Sequence, residues 1–254
     1  MVVPKKRFGQ HFLTDEHIAE KISNLLLPDV KNVIEIGPGK GILTKYILTK
    51  NLYNLKAIEI DVESLDYLHH NFADCAEVFV HGDFLKTDLS TIFPKGEKFQ
   101  IIGNFPYNIS SQILFKALEY KDIVAGISGM FQKEVAQRII SVPGNKVYGI
   151  LSVLMQTWYN GRYMFTVNEG SFLPPPKVKS GVITLLRNDI TDIGVDEQAF
   201  TGLVKTAFNQ RRKTLRNSLR QYHLPDAPIM DARPETLTWQ DFASLAKNIA
   251  QHSP

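Results

Sequence analysis

Five short apolar runs, at residues 33–36, 55–60, 78–80, 99–102 and 124–127, recur between stretches of helical periodicity at 43–48, 62–72, 111–118 and 133–140. Strands alternating with helices at this spacing predict a parallel, doubly wound α/β sheet, which takes its ligands at the carboxyl ends of the strands. Two later runs, at 163–167 and 182–186, are separated by a loop and predict an antiparallel pair at one edge. Past Arg187 the chain turns polar from Asn188 to Gly194, and beyond it only helical periodicity is found. Residues 1–190 are therefore expected to form the sheet domain and 191–254 a small all-α domain. Helices are expected there over 197–208, 214–222 and 239–250, the last opened by Thr238 as N-cap with Asp241 three residues on.

A chain of 254 residues with 44% apolar content is long enough for one large α/β domain with an appendage. Cys75 is its one cysteine, which excludes an internal disulfide and a thiolate metal cluster and suggests a reducing compartment. The N-terminus carries no apolar run that could act as a secretory signal, and no window is long and apolar enough to cross a bilayer. A soluble cytoplasmic protein is expected, with a short organelle address left open. The net charge of +3 is modest, but Lys5, Lys6 and Arg7 crowd one end, and Lys205, Arg211, Arg212, Lys213, Arg216 and Arg220 occupy a stretch free of acids. Such clusters suit a phosphate-rich partner; a solvated helix face is the other reading.

The first strand runs into Glu35-Ile36-Gly37-Pro38-Gly39-Lys40-Gly41, the place where an α/β sheet puts its glycine-rich turn. The spacing is G-x-G-x-G rather than the G-x-G-x-x-G that opens a helix onto a pyrophosphate. Pro38 and the neighbouring acid Glu35 fit a cationic, phosphate-free ligand better, although a glycine-rich turn alone can be purely structural. Glu59 ends the second strand, where a carboxylate can accept from both hydroxyls of a ribose. Asp83 ends the third strand, where it can accept from an adenine amino group with Phe84 packed near the ring. Each acid has an ordinary structural reading by itself. In this order on successive strands they describe S-adenosylmethionine.

The fourth strand delivers Asn104-Phe105-Pro106-Tyr107 to the same edge. A short amide, a rigid proline and an aromatic in that order suit a flat heterocycle held by its face while an exocyclic amine is gripped. The plainer reading is a strand-ending turn. Read with Phe8-Gly9-Gln10-His11-Phe12-Leu13, these residues resemble the rRNA adenine N6-methyltransferase superfamily. One branch of it dimethylates two adjacent adenosines near the 3′ end of small-subunit rRNA during ribosome assembly; another modifies a single large-subunit adenosine. The tail block from Ala207 to Leu219, the Phe172-Leu173-Pro174-Pro175-Pro176-Lys177-Val178 segment and Arg233-Pro234-Glu235-Thr236-Leu237 resemble the small-subunit branch. Departures are His11 for the frequent Asn, Phe105 for Leu, and Lys179 and Gly181 for an acid and Ala.

The resemblance implies an α/β Rossmann-like methyltransferase that takes S-adenosylmethionine through Gln10, His11, Leu13, Glu35, Gly37, Gly39, Glu59, Asp83, Phe84 and Asn104. Catalysis would fall to Asn104, Pro106, Tyr107 and Phe172. The Asn104 carbonyl and a backbone carbonyl of the Phe105-Pro106 segment accept the two N–H bonds of the target amine, while Tyr107 and Phe172 cover the two faces of an extruded base. Phe172 as core and Tyr107 as a surface turn residue are the alternatives. No metal or general base is needed. Lys5, Lys6, Arg7, Lys133, Arg138, Lys177, Arg211, Arg212, Lys213, Arg216 and Arg220 are expected to contact RNA. If one helix continues through the tail, Arg212, Arg216 and Arg220 share a face at i, i+4 and i+8. The expected partner is small-subunit rRNA in an immature subunit, and a monomer is expected. Against this stand a large-subunit methyltransferase, a non-catalytic assembly or RNA-binding factor of the same fold, and, more distantly, a nicotinamide-dependent oxidoreductase.

Overall fold

The computed structural model describes residues 2–210, 212–222 and 227–252. In chain order its elements are β1 (Phe12–Leu13), α1 (Glu16–Ser23), β2 (Asn32–Ile36), α2 (Ile42–Thr49), β3 (Asn54–Glu59), α3 (Val62–Asn71), β4 (Phe79–His81), β5 (Phe99–Asn104), α4 (Ser110–Glu119), β6 (Val124–Gln132), α5 (Lys133–Ile139), α6 (Ile150–Trp158), β7 (Tyr159–Val167), β8 (Phe172–Leu173), β9 (Ser180–Arg187), α7 (Glu197–Asn209), α8 (Leu215–Ser218) and α9 (Trp239–His252).

Seven strands form one sheet in the order β4-β3-β2-β5-β6-β9-β7. β2 pairs in parallel with β3 and β5, β3 with β4, and β5 with β6, while β9 runs antiparallel to β6. From β2 the chain winds outward to β3 and β4 and then crosses back to β5 on the other side of β2. That reversal opens a crevice at the carboxyl ends of β2 and β5. β2 is buried at all five positions, as a strand covered on both faces must be. Gln100 of β5, a polar side chain inside the sheet, is fully engaged. Its amide donates to the Leu27 and Val30 carbonyls at 3.0 and 2.6 Å, and its oxygen accepts from Leu27 N at 2.7 Å.

The chain forms two compact units, Met1–Ala136 with Asn160–Arg187, and Gln137–Tyr159 with Asn188–Pro254. The division differs from the expected 1–190 and 191–254 by giving the segment Gln137–Tyr159 to the helical unit. The Gly144 amide donates to the Glu235 carbonyl at 2.7 Å, Asn188 donates to the Trp158 carbonyl at 2.9 Å, and the Tyr148 and Phe208 rings lie 6.3 Å apart. α6 escaped the periodicity reading because seven of its residues are buried, which leaves no polar face to mark a helix.

In the helical unit, Thr238 and Asp241 cap α9 reciprocally. Thr238 N donates to Asp241 Oδ2 at 2.8 Å, and Asp241 N donates to Thr238 Oγ1 at 3.2 Å. The helix expected over 214–222 is corrected: α8 covers only Leu215–Ser218. Arg212 and Arg220 thus lie outside it, and no i, i+4, i+8 arginine face forms.

Candidate active site

The carboxyl ends of β2, β3 and β5, with the turn after β4, surround a cavity of about 230 Å³ in the first unit. Residues Arg7 to Leu13 wall its other side. Of the predicted cofactor residues, Gln10, His11, Leu13, Glu35, Gly37, Gly39, Glu59, Asp83, Phe84 and Asn104 all line this cavity, as do Pro106 and Tyr107.

The glycine loop is shaped by contact as well as by torsion. Gly39 has φ +60, and a Cβ there would meet the Phe12 ring at 2.9 Å. Its amide donates to Glu59 Oε2 at 3.1 Å, while Asp61 N donates to Glu59 Oε1 at 2.9 Å. Burial pushes the Glu59 carboxyl upward, and the two amides oppose that shift. Each Glu59 oxygen keeps a lone pair for a further donor. Glu35, 2% exposed, accepts from Thr44 Oγ1 at 2.7 Å. Burial pushes it up to about 8, against the Thr44 bond, so the neutral acid prevails at pH 7. Asp83 sits two residues beyond the end of β4 and accepts from Leu85 N at 3.0 Å, which closes its own turn.

Asn104 Nδ2 donates to the His11 carbonyl at 2.8 Å. The amide nitrogen is thereby committed to the N-terminal segment, and the amide oxygen is the end left to accept. His11 Nδ1 donates to the Pro174 carbonyl at 2.9 Å. Nδ1 is thereby taken up by Pro174, and Nε2 is the ring nitrogen left for the cavity. The His11 ring stacks on Tyr107 at 5.6 Å and 30°. The Tyr107 hydroxyl meets Ser180 Oγ at 2.5 Å.

One expectation about the aromatics is corrected. Phe172 does not line the cavity but lies in the core, 4% exposed, beside Leu13, Ile22 and Val167. β8 pairs antiparallel with β1, Leu13 opposite Phe172 and Phe12 opposite Leu173. Alternation turns Phe172 inward with Leu13 and leaves Leu173 55% exposed. Phe105 lines the cavity beside Asn104 but is 1% exposed, with its ring 4.7 Å from that of Phe131. It fills a slot left by two glycines: a Cβ on Gly103 would come within 3.1 Å of the Phe105 ring, and one on Gly129 within 2.7 Å.

A model of the ribosomal RNA adenine dimethylase family matches residues 3–233. The chain belongs to that family. Among its relatives, a ribosomal RNA small subunit methyltransferase A from Parabacteroides distasonis is 51% identical over 99% of this chain and 96% of its own length. One of the same name from Cytophaga hutchinsonii is 50% identical over 98% of both. A dimethyladenosine transferase from Plasmodium falciparum shares the fold with a TM-score of 0.76, at 24% identity over 95% of this chain and 98% of that one. The 23S rRNA methyltransferase ErmE does so at 0.67, with 23% identity over 93% of this chain and 99% of its own. The fold is the α/β Rossmann-like sheet of these methyltransferases.

The residues expected to contact RNA differ in their surroundings. Lys5 is corrected: its ammonium pairs with Asp61 and lies 3.1 Å from Glu63, so two carboxylates hold the charge meant for a phosphate. Arg7 lines the cavity, its guanidinium 4.7 Å over the Phe8 ring. Arg216 pairs with Asp231 at 3.0 Å. Lys177, Arg212, Lys213 and Arg220 are exposed; Lys133 and Arg138 are half-buried. Arg211 and the Lys6 side chain lie outside the described residues.

Three residues that shape the cavity were missed. Asp61, 2% exposed, accepts from Ser64 Oγ at 2.9 Å and Gln10 Nε2 at 3.4 Å and so ties the N-terminal segment to β3. Lys40 lies 5.3 Å over the Phe12 ring. Lys116, only 9% exposed on α4, donates to the Leu85 carbonyl at 2.9 Å beneath Phe84. A cation among the apolar positions of α4 was the one signal available for it.

Proposed function

We infer that this protein is an S-adenosylmethionine-dependent methyltransferase that dimethylates adenosines of small-subunit ribosomal RNA. Family membership and near-full-length relatives named as small-subunit methyltransferases support the reaction and the subunit. The observation that carries the chemistry is the orientation of Asn104: with its amide nitrogen bound to the His11 carbonyl, its oxygen is the group left to receive an N–H.

The cavity suits the methyl donor. Glu59, both of whose oxygens accept from backbone amides, would take the ribose hydroxyls, Asp83 and Phe84 would hold the adenine, and the bare backbone of Gly37 and Gly39 would let the ligand approach closely. S-adenosylmethionine supplies the electrophilic methyl group there. Asn104 Oδ1 and a carbonyl of the Phe105-Pro106 segment accept the two N–H bonds of the target amine. They aim its lone pair, otherwise delocalised into the ring, at the methyl carbon. Such positioning is worth about 7 kcal/mol or more in well-oriented cases. Tyr107 covers one face of the extruded base and offsets part of the cost of unstacking it, contributing roughly 1–3 kcal/mol. With Phe172 in the core, the opposite face needs another cover.

We assign the target to two adjacent adenosines near the 3′ end of the rRNA, in an immature subunit, acted on by a monomer in the cytoplasm. The N-terminal unit carries the chemistry, and the exposed Lys177, Arg212, Lys213 and Arg220 contribute contacts to phosphates. Among the described residues no helix is long and apolar enough to cross a membrane.

The deciding experiment transfers labelled methyl groups to unmethylated small and large subunits, with nucleoside analysis of the product. Dimethyladenosine confined to the small subunit is expected. Label in the large subunit, or cofactor binding without transfer, overturns the assignment.

A further inference from the structure

Tyr107 stands on the loop after β5, whereas Ser180 opens β9, opposite Gln132 of β6. The two hydroxyls meet at 2.5 Å, and Ser180 is completely buried. Ser180 has its backbone held by a sheet ladder and its side chain buried, so its Oγ has little room to move. Tyr107 has two torsions to settle. Its hydroxyl lies on the axis about which the ring rotates, so the tether to Ser180 sets the direction of that axis and leaves the ring plane open. The plane is set by His11, stacked on the ring at 30°. His11 is itself held at two points, by its Nδ1 bond to Pro174 and by the Asn104 amide on its carbonyl.

We propose that Ser180 is a positioning residue for the methyl-transfer step, fixing the Tyr107 ring through its hydroxyl so that the target adenine lands with its amine at Asn104. The proposal rests on the reading of Tyr107 as the stacking partner. A loop tyrosine without the tether swings about its first side-chain torsion, and a base stacked on it moves with it. Misplacement of a reacting group by about 1 Å costs on the order of a hundredfold in rate. The effect belongs to kcat, because S-adenosylmethionine is held by other residues.

The test compares Ser180→Ala, Tyr107→Phe and the double variant. The readouts are steady-state methyl transfer to unmethylated small subunits, S-adenosylmethionine affinity by calorimetry, and thermal unfolding. Each single variant is expected to lose about tenfold to a hundredfold in kcat with cofactor affinity unchanged. The double variant is expected to be no worse than either single one, because both remove the same bond. Ser180→Thr keeps the hydroxyl and should recover most of the turnover. A lower Tm with unchanged kcat means that the bond is only structural and overturns the proposal. Should Ser180→Ala fail to fold, Tyr107→Phe, which keeps both the ring and Ser180, decides alone. Tyr107→Ala separates the two levels. Wild-type turnover there removes Tyr107 from the site, whereas an inactive Tyr107→Ala beside fully active Tyr107→Phe and Ser180→Ala defeats the positioning role alone.

Discussion

Asn104 Nδ2 lies 2.8 Å from the carbonyl oxygen of His11, a residue 93 positions earlier in the chain. One hydrogen bond therefore chooses which end of the amide faces the substrate. Asn104→Ala removes the acceptor and is expected to abolish methyl transfer while lowering S-adenosylmethionine affinity far less. Asn104→Asp restores an oxygen but sets a carboxylate against the His11 carbonyl, and should remain at least about a hundredfold impaired. Calorimetry and single-turnover transfer on the same preparations check both; turnover near wild type in the alanine variant would exclude Asn104 from the mechanism.

Glu35 gives the protein a pH signature. Burial raises its folded pKa to about 8, above the ordinary 4.5. Below about pH 4.5 the acid is protonated in both states and costs nothing. Between 4.5 and 8 only the unfolded chain ionises, so stability falls as pH rises, by about 1.4 kcal/mol per pH unit. Glu35→Gln keeps an acceptor for Thr44 and removes the titration. Without cofactor, the variant should match wild type near pH 5 and become progressively more stable than it toward pH 8. Parallel Tm profiles for the two proteins would show that Glu35 does not titrate in this window.

Lys116 reaches the adenine side of the site through the Leu85 carbonyl, 2.9 Å from its ammonium. Lys116→Met keeps the stem and leaves that carbonyl without its donor, at a cost of about 1–3 kcal/mol. Cofactor affinity should weaken with it, since the turn bearing Asp83 and Phe84 loses its tether. Equal affinity in the variant would detach Lys116 from the site.

Phe105 and Gly129 form a matched pair, the ring lying where a Cβ on the glycine would stand. Phe105→Leu leaves a partial void against Phe131 and should cost about 1–2 kcal/mol. Because the ring packs against Phe131 and the two glycines, the product should still be dimethyladenosine. Monomethyl product accumulating in that variant would show that the ring limits the room at the amine. Gly129→Ala is harsher: its Cβ would lie 2.2 Å from the Gly103 carbonyl, prising β5 from β6. A loss of about 3 kcal/mol or more is expected, read by urea unfolding.

Gly181, where the family more often has Ala, also has a local reason. A Cβ there would lie 2.8 Å from both Ala136 Cβ and the Tyr163 ring. The Ala136 methyl and the Tyr163 ring both crowd the position, so the departure has a packing reason.

Much of the site could be read from residue order alone. Apolar runs separated by helical stretches specify a parallel sheet, because both periods are local properties of the chain. A parallel sheet then brings Glu35, Glu59, Asp83 and Asn104 to one edge without any further information. What local order could not supply was the partner of each side chain and the face of each short strand. Lys5 looked like one more phosphate contact, and only folding set Asp61 and Glu63 beside it. Phe172 looked like a stacking residue until its pairing with Leu13, 159 residues away, turned it into the core. The tail arginines looked like one helical face, but α8 ends after Ser218 and Arg216 is drawn to Asp231. Sequence determined which elements form and which edge carries the chemistry, since these follow from short-range periodicity. Tertiary structure decided which way His11, Asn104, Tyr107 and Phe172 face, because hydrogen bonds and packing are settled between segments that meet only in the folded chain.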